Sequence, residues 1–200
     1  MRGVAIGTVD RVAEALGASV DLTIRWEGEQ LDRLMDAGHA WIVERTASRL
    51  ASMGWETRTE VSFNHYGDRG VVDLLALHPV LRVVLVVEAK TSVANVQDML
   101  GRLDVKARLG RAIAESVGWT DVGTVTPAFV LSNTRTARRE VMRHDLSFGR
   151  YAMRGRSALT WVREPSRPVP SGLLWFVNVP DVHGMSVTRG RRVRRVKNGP

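Results

Sequence analysis

An α/β (α+β) fold, with a mixed sheet of about four to five strands flanked by helices, is predicted by three features of the chain. Two neighbouring apolar runs, Gly70–Ala76 and Val83–Lys90, have the length and the Val/Leu content of strands. Segments with apolar residues at near-helical spacing precede and follow that pair, at 29–53 and 96–117. A further run, Ala128-Phe129-Val130-Leu131, is wholly apolar, as in a central strand with both faces covered. The order implied for the main domain is α-β-β-β-α-β.

Thr8–Leu16 places Val9, Val12, Ala13 and Leu16 on one helical face and closes at Gly17. Ser19–Trp26 alternates Val20, Leu22, Ile24 and Trp26 with Asp21, Thr23 and Arg25, which predicts a strand. Residues 9–17 resemble the closing helix of a phage-repressor-type helix-turn-helix regulator domain. The helices of such a domain that read DNA would lie upstream of Met1, so base recognition is not carried over. After Glu27-Gly28, the helix 29–53 carries Leu31, Leu34, Met35, Ala40, Trp41, Val43, Ala47 and Leu50, and stops near Gly54. Trp55–Asn64 reads as a strand, with Trp55, Val61 and Phe63 in register and Glu60 opposed to them. Tyr66–Gly70 is a turn signal.

The two motif strands follow, joined by His78-Pro79-Val80-Leu81-Arg82, where Pro79 has no N–H for a ladder. If His78 pairs with Val83, the antiparallel register sets Asp73 directly across from Glu88, with Cβ atoms about 4.5–5.5 Å apart. Lys90 then falls on the same face as Glu88. Two carboxylates that close repel, and a divalent cation relieves the repulsion. Oxygen-only ligation suits Mg²⁺ or Mn²⁺ rather than zinc. Such an ion polarises a phosphoryl oxygen, and an adjacent lysine stabilises charge developing on the phosphate. The alternative is a buried ion pair in an ordinary sheet.

Asp73, followed by Glu88-Ala89-Lys90 at the end of an apolar strand, resembles the PD-(D/E)XK nuclease superfamily over roughly residues 29 to 133. The proline of the motif is replaced by Val72. The resemblance implies a restriction-endonuclease-like fold and metal-dependent hydrolysis of DNA. By it, Asp73 and Glu88 are metal ligands with the Ala89 carbonyl a third, and Lys90 is the catalytic lysine. Glu44 matches the acidic residue many members carry on the helix before the meander. Gln97 matches a glutamine that some place on the helix after Glu-x-Lys. For both, a solvated helix position is the competing reading, and Glu60 is a fallback acidic ligand.

The helix from Val96 to Val117 has Ser92 or Asn95 as its cap and Met99, Leu103, Ala107, Ala114 and Val117 as its core face. Lys106 and Arg108 are expected in solvent. After the apolar strand Pro127–Asn133, Thr134–His144 reads as a helix bearing Arg135, Arg138, Arg139 and Arg143. Phosphate contact and simple solvation compete for these charges. Arg150–Pro170 is basic and interrupted, with Pro165, Pro168 and Pro170 marking turns or a linker, and Leu173–Val179 is an edge strand. Trp41 and Trp175 are expected in the core. His65 and His144 read as surface or capping histidines before general bases.

With 44% hydrophobic residues among 200, the chain can bury a substantial core in one domain. It contains no cysteine, which excludes disulfides, thiolate metal sites and cysteine nucleophiles. No apolar run reaches the ~18 residues of a membrane span, and a cytoplasmic protein without membrane contact is expected. Net charge is +8, of which Arg189, Arg191, Arg192, Arg194, Arg195 and Lys197 supply six, leaving a nearly balanced body. Such a tail suits nucleic-acid backbone, and a solubilising terminus equally. The expected division is 1–26, a helix-strand segment; 27–180, the nuclease-like domain; and 181–200, the basic tail. Cleaving both strands of a duplex usually takes two active sites, so a homodimer is expected. The competing function is a DNA-associated transcriptional regulator or partner-binding protein using an inactive nuclease-like scaffold.

Overall fold

The computed structural model describes residues 6–18 and 29–180. The chain divides into two compact units, residues 1–33 and 34–200. The first holds α1 (Ile6–Ala15); its Val9 and Val12, and Leu16 just after it, are exposed. The expected strand 19–26 and the basic tail lie outside the described residues.

The second unit follows the expected order. Helix α2 (Glu29–Ala51) starts in the first unit and leads into β1 (Glu56–His65), β2 (Asp68–His78) and β3 (Val83–Lys90). Then come α3 (Val96–Ser116) and β4 (Thr124–Ser132). The remainder is α4 (Arg135–Arg143), α5 (Asp145–Phe148), β5 (Met153–Arg154), α6 (Arg156–Arg163) and β6 (Leu173–Val177). The result is one six-stranded mixed sheet flanked by helices, in the order β1-β2-β3-β4-β6-β5. It is antiparallel from β1 to β3 and parallel from β3 onward. The mixed sheet flanked by helices is as expected; its six strands exceed the four to five expected, because the two-residue β5 adds one.

Turn chemistry sets the register of the meander. Tyr66 (φ 51°) and Gly67 (φ 88°) form a two-residue hairpin turn with both residues left-handed, closed by the pair His65–Asp68. It is shorter than the Tyr66–Gly70 turn expected. His78 pairs with Val83, and the ladder runs back to Leu74 opposite Val87. The His78 Nδ1 accepts from the Leu81 N–H at 3.2 Å, and burial lowers its pKa, so the ring serves this turn as a neutral acceptor.

One apolar layer packs on each face of the sheet. Val84 and Val86 of β3 meet Met99, Leu103 and Ile113 of α3, with Val141, Phe148 and Tyr151 beyond. Val83, Leu85, Val87 and Ala89 meet Ile42 and Leu50 of α2 and Ala158, Trp161 and Val162 of α6. Each fully buried aliphatic side chain contributes about 1.5–3 kcal/mol. The five from Val83 to Val87 therefore anchor the strand strongly enough to carry a buried acid at its end. Helix α3 lies close because Gly110 faces the sheet: a Cβ there would sit 2.6 Å from Val125 Cγ1 and 2.9 Å from Val86 Cγ2.

Three expectations are corrected. Arg150–Pro170 is no linker, since it contains β5 and α6, whose Ala158, Trp161 and Val162 are buried. Its prolines follow the helix end at Arg163 and terminate it instead of breaking it. Strand β6 is not at the edge, because the two-residue β5 lies outside it. Trp55 does not share a face with Val61 and Phe63, as they enter opposite layers. The alternation reverses at Glu60, which has φ 53°. Val72 and Leu75, an odd number of residues apart on β2, accordingly share a layer.

Candidate active site

Asp73 and Glu88 occupy the point where β2 and β3 part. The ladder between these strands ends at Leu74–Val87; beyond it β2 stays with β1, while Glu88, Ala89 and Lys90 pair with Phe129, Val130 and Leu131 of β4. Asp73 bridges the fork with its side chain, its Oδ2 accepting from the Ala89 N–H at 2.7 Å. A carboxylate thereby replaces the missing ladder bond and is held facing the residue before Lys90.

Glu88, 3% exposed, engages two amines. Lys90 Nζ donates to Oε1 at 2.6 Å and Lys106 Nζ to Oε2 at 2.5 Å. By strand parity Glu88 and Lys90 point to the α3 side, and Lys106 descends from α3 to meet them. Burial raises the Glu88 pKa, but the Lys106 and Lys90 charges and hydrogen bonds outweigh it, holding the carboxyl below its ordinary value. Asp73 moves the other way: burial and the charge of Glu88 raise its pKa, against the Ala89 N–H, Lys106 and Lys90. The cluster is electrically asymmetric, with Glu88 satisfied as an anion and Asp73 short of positive charge.

Glu88 is not sealed off. A cleft of about 370 Å³ opens beside it on the α3 face, lined by Arg69, Arg102, Val105, Lys106 and Phe63 among others. Its basic rim suits an approaching phosphate. Among the described residues no three His, Asp or Glu side chains gather as metal ligands. Two carboxylates with a backbone carbonyl are nevertheless a donor set that fits Mg²⁺, which binds few protein ligands and retains water.

The remaining candidates separate. Glu44 is exposed beside Trp41, Arg45 and Ser48, and the structure does not bring it to the carboxylates. The α2 residue that reaches them is His39, whose Nε2 lies 3.8 Å from Asp73 Oδ2. Helical geometry explains the exchange: His39 shares a face with Ile42, Val43, Thr46 and Leu50, all buried, whereas Glu44 is turned about 140° from it. Gln97 donates to Ser147 Oγ at 3.4 Å and so faces α5. It stands nine residues, a half-integral number of turns, from Lys106, and this puts it on the opposite side of α3. Lys106, expected in solvent, is 12% exposed and belongs to the site. Arg108 is exposed, as expected, and pairs with Asp68 at 2.9 Å.

On α4, Arg135 and Arg139 are exposed, and Arg138 is fixed by Asn133 Oδ1 at 2.6 Å with its guanidinium 4.4 Å from the Phe176 ring. Arg191, Arg192, Arg194 and Arg195 lie outside the described residues. His144 sits 3.8 Å from Glu140, His65 closes the hairpin turn, and Glu60 is exposed. Trp175 is buried as expected, while Trp41 is only half-buried.

No family model matches the chain, and no curated protein does. Among solved structures it is similar to the crystal structure of a repair endonuclease from Pyrococcus abyssi, with TM-score 0.39 and 12% identity, over 79% of this chain and 50% of that one. The chain thus spans about half the length of that protein.

Proposed function

We propose that the protein is a divalent-metal-dependent nuclease of the PD-(D/E)XK type, hydrolysing phosphodiester bonds in DNA. The observation that carries the reading is the convergence of Asp73, Glu88, Lys90 and Lys106 at the parting of β2 and β3, beside an open cleft with a basic rim. Asp73, Glu88 and the Ala89 carbonyl would hold Mg²⁺ or Mn²⁺. When bound, the ion polarises a phosphoryl oxygen and acidifies water.

The chain's own residues supply the rest. Lys106 and Lys90 keep Glu88 ionised at neutral pH, so the acid is ready as a ligand. The Ala89 N–H fixes the Asp73 carboxylate in place. Lys90, one-third exposed, presents its ammonium to the phosphate as charge builds on the non-bridging oxygens. His39 borders Asp73 from the α2 side and orients it. In the reaction, a water oxygen bonds to phosphorus, the ester P–O bond breaks and the leaving oxygen gains a proton.

The test is Mg²⁺- or Mn²⁺-dependent cleavage of plasmid and single-stranded DNA by wild type, Asp73→Ala and Lys90→Ala. Loss of cleavage in Asp73→Ala and a fall of about 10²–10³-fold in Lys90→Ala are expected. Equal cleavage by all three would trace the activity to a contaminant and remove the assignment. A second reading, a DNA-associated regulator or partner-binding protein on an inactive scaffold, is favoured by one observation. Both Glu88 oxygens are already held by lysines, so the cluster is self-satisfied without an ion. DNA binding without cleavage, unaffected by either substitution, would select it.

A further inference from the structure

On the sheet face opposite the basic cleft, α2, α6 and the C-terminal ends of β4 and β6 enclose a hollow of about 380 Å³. Its wall includes Trp41, Arg45, Thr46 and Arg49 from α2, Asn133 after β4 and Asn178 after β6. The volume falls within the roughly 300–1,000 Å³ of small-ligand sites. Arg45 and Arg49 are one helical turn apart, with Cβ atoms about 5–6 Å from each other. Among the described residues neither guanidinium has an acidic partner. Arg82, Arg102, Arg108, Arg150 and Arg154 each hold an aspartate.

Thr46 adds an independent sign. It is 3% exposed, and its hydroxyl has no hydrogen-bond partner. A buried hydroxyl inside a helix ordinarily bonds back to the carbonyl one turn earlier. Asn133 Nδ2 donates to Asn178 Oδ1 at 2.6 Å, so two linked amides form a polar boundary between the strand ends.

Two planar cations on one helix face, with no acidic partner among the described residues, match a phosphate group, which guanidinium forks grip bidentately. A half-buried indole offers a stacking surface for a base, and the amides offer hydrogen bonds to its edge. The position is apt as well. Lys90 pairs with Leu131 of β4, and Ser132 with Val177 of β6. At about 4.8 Å between strands, the floor of the hollow is two strand spacings from the strand bearing Glu88 and Lys90.

We propose that this hollow binds one nucleotide unit, its phosphate on Arg45 and Arg49 and its base against Trp41. The unit comes either from a strand lying across the sheet edge or from a free mononucleotide. The strand form rests on the nuclease reading; the binding itself does not.

Calorimetric titration of the full chain, without divalent metal, tests it with two probes: 5′-dAMP and a ten-nucleotide single-stranded DNA. The proteins are wild type, Arg45→Gln/Arg49→Gln, and Arg45→Lys/Arg49→Lys. Loss of both forks is expected to weaken the bound probe by about tenfold or more. The lysine pair, keeping charge but not the fork, is expected between wild type and the glutamine variant, and it serves as the test if the glutamine pair fails to fold. Binding of the oligonucleotide alone assigns the hollow to a strand, and binding of dAMP alone to a free nucleotide. Binding of neither, or equal binding by all three proteins, overturns the proposal. The two readings fail separately. Arginine-dependent binding without metal-dependent cleavage removes only the nuclease, and cleavage with arginine-insensitive binding removes only this site.

Discussion

Asp73 is ionised at a cost, since burial and the neighbouring Glu88 both favour its protonated form. Asp73→Asn keeps an oxygen for the Ala89 N–H and deletes the charge. In metal-free protein at pH 7 it is expected to raise stability by about 1 kcal/mol while abolishing metal-dependent cleavage, as thermal melts beside a nicking assay would show. A raised folded pKa means the destabilisation is present above that value and fades as pH falls through it. The two proteins should therefore converge in stability as pH falls through that raised value toward the ordinary carboxylate range. Glu88 has the opposite sign. With a depressed folded pKa, it contributes stability that is full above the ordinary carboxylate value and is lost as pH falls through its lower one. Glu88→Gln removes the charge that Lys106 and Lys90 both bond to and is expected to cost about 3 kcal/mol at pH 7, measured by urea unfolding. The turn at 79–82 made the nearness of Asp73 and Glu88 legible in sequence, and strand parity set Lys90 beside Glu88; the expected cross-strand pair of the two acids is not formed, because β2 leaves the ladder after Leu74 and its alternation breaks at Asp73. Lys106 and His39 were not legible, although a signal existed. Each lies on the buried stripe of its helix, Lys106 between Leu103 and Gly110 and His39 one turn before Ile42 and Val43.

At the scale of elements, the position of α3 decides whether Lys106 reaches the acid at all. Gly110→Ala improves helix propensity by about 1 kcal/mol. The added methyl, however, meets Val125 and Val86 inside van der Waals contact. Overpacking costs about 1–3 kcal/mol, so net destabilisation in chemical denaturation is expected, together with reduced cleavage as Lys106 is lifted from Glu88. A glycine in the middle of an otherwise good helix was a readable sign of this close approach. The meander was legible for a related reason: its second and third strands are rich in Val and Leu, and its turns are short. Helix α6 was obscured by the prolines that follow it, and the reversal at Glu60 had no sequence signal, because glutamate gives no warning of a left-handed backbone.

Across the whole molecule, basic charge is unevenly spread, with six of the net +8 in residues 189–200. A chain ending at Pro180 is expected to bind DNA more weakly and with a shallower dependence of affinity on salt, by up to about 0.9 logarithmic unit of slope per lost phosphate contact. Filter binding at several salt concentrations reads this directly, and an unchanged slope would show that the tail makes no phosphate contacts. No helix among the described residues is long and apolar enough to cross a membrane.

Beyond the last ladder pair, Leu74–Val87, one side-chain bond, from the Ala89 N–H to Asp73 Oδ2, ties the β1–β2 limb to β3. The tip of that limb is strapped to α3 by Asp68 and the exposed Arg108. A strap of this kind loosens in concentrated salt, so metal affinity at the proposed site is expected to fall with ionic strength before the sheet melts, which metal titrations at several salt concentrations beside thermal melts would read.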